Sequence, residues 1–140
     1  PSPKTGSAHM TELTMRQIRQ LEHDLLAQRS GVAAEAHDEL MRATQQSYAA
    51  IAGEVPDFGD QATAASLADY DNALARRHVE AIREIDDALM RIKAHRFGRC
   101  LECGVPMGYA RLRAFPTARR CVACQGLHER TFALGAAPTL

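Results

Sequence analysis

Tryptophan is absent from this 140-residue chain, and aromatic residues make up only 5% of it. Much of the apolar content is alanine, which suits close helix packing better than a broad globular core. No apolar run approaches the roughly 20 residues needed to cross a membrane. No signal peptide is recognisable, so we expect a cytoplasmic protein without membrane contact. Residues 1–9 are typical of an expression-vector remnant ahead of a native Met10.

Proline is absent from residues 11–52, and residues 61–96 contain neither glycine nor proline. The first stretch predicts one helix from Thr11 to about Ala52, because apolar residues recur on a single stripe. Its members are Ile18, Leu21, Leu25, Val32, Ala36, Leu40, Ala43 and Ile51. The second stretch predicts a helix from Gln61 to about Arg96 with a coiled-coil seam. The seam residues are Leu67, Tyr70, Leu74, Val79, Ile82, Ile85, Leu89 and Ile92.

Two glycines and a proline in residues 53–60 predict a short turn, with Asp60 as the N-cap of the second helix. The expected fold is therefore all-α, a long antiparallel coiled-coil hairpin over residues 10–97 with an acidic tip at residues 53–61. A small four-cysteine module and a short C-terminal helix follow over residues 98–134, and residues 135–140 form a tail. Leu127, Phe132 and Leu134 of that last helix are expected to pack on the base of the hairpin.

All four cysteines lie in two CxxC pairs, Cys100 with Cys103 and Cys121 with Cys124. Two such turns at this separation predict one tetrahedral zinc site, and four sulfur ligands leave no open position, so the metal is expected to be structural. Two disulfides, a thioredoxin-like redox pair and a reactive-thiol zinc switch are the alternatives. His95 and His128 flank the site as possible substitute ligands.

The formal net charge of zero hides an asymmetry along the chain. Residues 11–90 carry fifteen acidic and seven basic side chains, whereas residues 91–130 carry two acidic and nine basic ones. A basic cluster in the cysteine-rich part favours a nucleic-acid-binding zinc ribbon as one candidate function. Its members are Arg111, Arg113, Arg119 and Arg120.

Several segments resemble the DksA/TraR family of zinc-finger transcription factors. The segments 97–104, 111–118 and 121–125 are similar to the zinc-finger signature of that family, and residues 57–63 resemble its Asp-x-x-Asp-x-Ala-Thr tip. The resemblance runs from about Pro56 to Gln125, and we expect it to include the first helix.

The resemblance implies a monomeric regulator that binds bacterial RNA polymerase through the secondary channel, without sequence-specific DNA binding or chemistry of its own. Asp57, Asp60 and Ala62 are then the tip residues that approach the polymerase active site and change the stability of promoter open complexes. Arg77 and Arg111 are possible contacts to polymerase or phosphate. A transcript-cleavage factor, which would use similar tip acids to hold a second Mg²⁺, is the enzymatic alternative.

The chain departs from the family at three positions. Family members that act with the alarmone guanosine tetraphosphate use basic residues where this sequence has Glu84, Phe115 and Gln125. None of these three side chains offers a cation to a phosphate group. We therefore expect regulation that does not depend on the alarmone at that site.

Overall fold

The computed structural model describes residues 12–53 and 58–135, which contain four helices: α1 (Met15–Ala52), α2 (Phe58–Lys93), α3 (Tyr109–Ala114) and α4 (Val122–Gly135). No β-strand occurs among these residues, where the one sheet-like pairing is an isolated antiparallel bridge between Arg99 and Pro106. The all-α prediction is confirmed. None of the described helices is both long and apolar enough to cross a membrane. The chain divides into two compact units, residues 12–25 with 87–135 (unit 1) and Leu26–Asp86 (unit 2).

Helix α1 begins with a capping box formed by Thr14 and Gln17. The Gln17 backbone N–H donates to Thr14 Oγ1 at 3.2 Å, and the Thr14 N–H donates to Gln17 Oε1 at 2.9 Å. These reciprocal bonds satisfy donors that the first helical turn leaves without partners. The helix therefore starts at Met15, four residues after the predicted Thr11.

Helix α2 begins at Phe58 and ends at Lys93, so both of its predicted boundaries were about three residues too late. Asp60 lies inside the first turn and is not the N-cap. At the other end, the Arg96 N–H donates to the Arg91 carbonyl and the His95 N–H to the Ile92 carbonyl. These two bonds form a Schellman cap, in which His95 takes the left-handed conformation with φ of 56°.

Within unit 2, α1 and α2 lie side by side and run antiparallel. Arg29 Nε lies 2.7 Å from Asp86 Oδ1, and the His78 ring lies 3.4 Å from Glu39. Residues later in α1 therefore contact residues earlier in α2, as antiparallel helices do.

The apolar seam is shorter than the sequence predicted. Ile85 is buried, but Leu40, Leu67, Tyr70 and Val79 are each at least half exposed. For Val79 the reason is the register, because the three–four spacing of Ile82 to Ile92, continued toward the turn, passes through His78. The side chain of His78 is accordingly only 12% exposed.

Unit 1 has its own apolar core, which joins the cysteine-rich segment to α1. Leu21, Met107 and Leu112 are almost fully buried there together with two of the cysteines. Gly98 makes this approach possible, because a Cβ at its position would lie 2.8 Å from Leu13 Cδ1, and its φ of 94° suits only glycine well.

Helix α4 does not pack as predicted. Leu127 is 59% exposed and Phe132 is 71% exposed, so neither side chain joins a core. The apolar residues of α4 do not fall on one face of the helix, and Val122 at its start is exposed as well.

Replacing His95 with glycine should stabilise the protein. A non-glycine residue in the left-handed conformation destabilises the folded state by roughly 1–2 kcal/mol. Glycine removes that strain, but its greater freedom stabilises the unfolded state by about 0.4–1 kcal/mol. We expect His95→Gly to raise the free energy of unfolding by about 0.5–1 kcal/mol in denaturant titrations. The control is His37→Gly in the exposed middle of α1, which should lower it by about 1 kcal/mol. Equal destabilisation by both variants would contradict the capping assignment.

Candidate metal centre

The fold brings the four predicted zinc ligands together. The sulfur atoms of Cys100, Cys103, Cys121 and Cys124 all lie within 4.8 Å of one another, and none of the cysteines is in a disulfide. The Sγ atoms of Cys103 and Cys121 are 3.8 Å apart. With Zn–S distances of about 2.3 Å, a regular tetrahedron has edges of about 3.8 Å, so this spacing fits zinc.

The first CxxC pair lies on a tight turn held by the backbone. The Cys100 N–H donates to the Val105 carbonyl, and the Gly104 N–H donates to the Cys100 carbonyl, each at 2.9 Å. Gly104 has a φ of 78°, a left-handed conformation that glycine adopts without strain. These bonds aim both thiols of the turn at one point.

The second pair lies at the start of α4. The Gln125 N–H donates to the Cys121 carbonyl at 2.9 Å, and the Cys124 N–H points at Cys121 Sγ at 3.5 Å. A backbone bond from the Leu101 N–H to the Arg119 carbonyl, 2.9 Å long, ties this pair to the first.

The electrostatics of the cluster favour a cation. Burial by itself would raise the pKa of the Cys100 thiol, but backbone hydrogen bonds from Cys103, Cys121 and Glu102 lower that pKa to about 6. Cys124 is the opposite case, because its hydrogen bonds to Cys121 and Cys103 raise the pKa of its thiol to about 12. Four thiols at this spacing cannot all ionise unless a metal ion offsets their charge.

The arrangement of the four ligands indicates a structural role for the metal. Cys100 and Cys121 are buried beside Leu112, whereas Cys103 is exposed at the surface. Four sulfur ligands complete a tetrahedron, so an ion here has no position for a substrate or a water molecule. His95 and His128 do not join the cluster.

Two ion pairs and one backbone hydrogen bond engage three arginines of the basic cluster. The Arg119 guanidinium contacts the Asp87 carboxylate of α2, and Arg120 Nε lies 3.1 Å from Glu102 Oε1. Arg111 Nε donates to the Arg120 carbonyl at 3.0 Å. Three of the four arginines proposed for nucleic-acid contact are therefore engaged within the protein. The sequence shows the partner acids Asp87 and Glu102, but the pairing depends on contacts between residues distant along the chain.

Arg91 lies half-buried next to this ion pair. Burial lowers the pKa of its guanidinium, the charge of Arg119 lowers it further, and Asp87 acts in the opposite direction. One of its terminal nitrogens, Nη2, is buried and has no hydrogen-bond partner among the described residues. The junction of α2 with the cysteine module thus holds an excess of positive charge.

The predicted tip falls partly outside the described residues. Asp57 is not among them, and Asp60 and Ala62 lie in the first turns of α2. Arg77 is exposed on α2, whereas Arg111 is partly buried and makes the structural hydrogen bond to Arg120. Glu84 and Phe115 are exposed, and Gln125 Nε2 donates to Glu129 Oε1 at 2.9 Å.

The helices and the cysteine cluster define a small helical zinc-finger protein, and comparisons with known proteins specify its family. The family model of the prokaryotic dksA/traR C4-type zinc finger matches residues 95–130. The RNA polymerase-binding transcription factor DksA of Caulobacter vibrioides is 36% identical over 97 residues, which are 66% of this chain and 68% of that protein. The Escherichia coli K12 protein of the same name is 30% identical over 126 residues, covering 90% and 78% of the two chains.

The fold is similar as well. The solved structure of transcription factor DksA2 from Pseudomonas aeruginosa superposes with a TM-score of 0.73 at 25% identity, covering 93% of this chain and 94% of that one. The chain belongs to the DksA/TraR family and carries one structural zinc ion in its C4-type finger. The predictions of family, fold class and zinc are confirmed.

Substituting one zinc ligand should release the metal. We expect one equivalent of zinc per purified chain by elemental analysis, and clearly less in Cys103→Ser, because three thiolates leave the tetrahedron incomplete. The matched control is Leu101→Ser, which changes an exposed side chain between the first two cysteines and should keep the full equivalent. Unmodified protein with well under half an equivalent, and disulfides in its place, would contradict the zinc assignment.

Proposed function

We propose that this protein regulates transcription by binding bacterial RNA polymerase. The observation that carries the proposal is the similarity to proteins named RNA polymerase-binding transcription factor DksA, which extends over 90% of this chain in one case. It spans both long helices and the zinc finger, not merely the cysteine motif. The protein is proposed to act by binding, without catalysing a reaction of its own.

The proposed route into polymerase is the secondary channel. The hairpin enters with the turn between α1 and α2 leading, and Asp57, Asp60 and Ala62 come close to the active site, where they change the stability of promoter open complexes. Pre-formed helices lose little conformational entropy on insertion, which supports this mode of binding. The net negative charge of unit 2 predicts basic groups on the polymerase surface that it faces.

The nucleic-acid-binding alternative has less support. Arg111, Arg119 and Arg120 already contact groups of this protein. Arg113 is exposed and pairs with no other side chain among the described residues. Charges held in intramolecular pairs are poorly placed to displace counterions from a phosphate backbone. We therefore propose no sequence-specific binding to DNA.

Removing the two tip carboxylates should separate binding from regulation. We expect Asp57→Asn with Asp60→Asn to bind polymerase almost as the unmodified protein does, but to lose its effect on open-complex lifetime in transcription assays. Asp60 lies in the first turn of α2, where loss of a negative charge costs about 0.3–1 kcal/mol, so folding should survive.

The control for the tip variant is Asp38→Asn with Asp69→Asn, which removes the same charge from exposed positions elsewhere on unit 2 and should regulate normally. Full regulation by the tip variant would exclude the tip from the mechanism. Shortening of nascent RNA in stalled complexes, lost in the tip variant, would favour the transcript-cleavage function instead.

We further propose that the protein acts without guanosine tetraphosphate at its own interface with polymerase. With a polymerase lacking its other alarmone site, the alarmone should leave this protein's inhibition of a ribosomal promoter unchanged. The reason is that Glu84 repels the ligand's phosphates, and Phe115 and Gln125 offer no charge to attract them. The variant Glu84→Lys with Phe115→Arg and Gln125→Lys should gain a response. A several-fold response of the unmodified protein would contradict this proposal.

A further inference from the structure

A groove of about 300 Å³ lies between α1 and α2 within unit 2. Its walls are mostly apolar, and they include Leu40 and Val79, which are 65% and 50% exposed. Apolar side chains at that exposure, next to an open groove, leave a surface that a partner can cover.

The groove exists because small and polar residues occupy the helix seam. Ala36 and Ala43 of α1 and Ala75 of α2 line the groove, and their methyl groups fill less space than the large aliphatic side chains of a regular coiled coil. Three alanines in place of leucine or isoleucine leave unfilled volume between the helices. In the same stretch, the predicted seam residue Val79 is exposed.

Carboxylates supply the charge of the groove. Glu39 and Asp71 line it, and no lysine or arginine is among the described residues that do so. His78 forms part of the floor, with Nδ1 3.4 Å from Glu39 Oε2 and Nε2 3.8 Å from Glu35 Oε2. Glu35 and Glu39 have no lysine or arginine within ion-pair distance in the described part of the chain. The groove therefore suits an occupant with an apolar body and a positive charge.

We propose that this groove receives an aliphatic side chain and an adjacent lysine or arginine from one segment of RNA polymerase. The aliphatic group fills the volume that the three alanines leave, and the cation pairs with Glu39 and Asp71. This inference rests on the proposed function and adds to it a contact surface away from the tip and away from the zinc finger.

Filling the groove from within tests the steric part of the proposal. Ala36→Leu places a larger side chain in the open volume, so the fold should be as stable as before or more stable. Its affinity for purified polymerase, measured by fluorescence anisotropy, should fall at least about tenfold, because a buried aliphatic anchor is excluded. The matched control is Ala34→Leu, an exposed position of α1 outside the groove, which should bind as the unmodified protein does.

Changing one charge tests the chemistry of the occupant. Asp71→Lys should weaken binding at low salt by about tenfold or more and flatten its dependence on salt concentration, because a cation in the groove is repelled. Asp69→Lys changes an exposed acid nearby that does not line the groove, and its effect should be several-fold smaller. A photoreactive residue at Val79 should cross-link to a polymerase peptide that contains an aliphatic residue beside lysine or arginine.

The outcomes separate this inference from the proposed function. If the unmodified protein binds polymerase and Ala36→Leu, at undiminished thermal stability, binds equally well, the groove proposal is overturned and the proposed function stands. If the unmodified protein does not bind polymerase, the proposed function fails, and the groove proposal fails with it. Concentration-dependent dimerisation that Ala36→Leu abolishes would identify a second copy of this chain as the occupant and overturn the polymerase assignment.

Discussion

Four sulfur atoms within 4.8 Å of one another are the constraint on which unit 1 depends. As thiolates they repel, and as thiols they hold the two CxxC turns together only weakly, so a divalent cation is needed to join them. Joining the turns also closes the small core in which Leu112 and Met107 meet Leu21 of α1. Within unit 1, we therefore expect metal binding to be coupled to the packing of the cysteine-rich segment on Leu21.

Unit 2 is held together by contacts between its two helices. Its helices are held by a short apolar seam and by polar contacts such as that between Arg29 and Asp86, and exposed ion pairs of this kind contribute little to stability. Near His78, alanines make fewer packing contacts than larger side chains would, and an open groove remains. The proposed contact with polymerase rests on the acidic, apolar surface of that groove.

The sequence predicted the parts of the structure that depend on local spacing. The double CxxC motif predicted the metal centre, and the absence of proline predicted two long helices. It did not predict that His78 lies in the seam and Val79 outside it, because valine is the more apolar of the two and only the three-dimensional register decides between them. The end of α2 was missed since His95 stands where a Schellman cap usually has glycine, and the ion pairs of the basic cluster depend on contacts distant in sequence.

The central claim is that this family member reaches into RNA polymerase with its hairpin turn leading. The most direct measurement is binding to purified bacterial polymerase with a photoreactive residue at position 58, followed by mapping of the cross-linked peptides. The account predicts zinc-dependent binding and cross-links to segments that line the secondary channel near the active site. Saturable binding with cross-links confined to the outer surface of polymerase, or no binding at all, would contradict it.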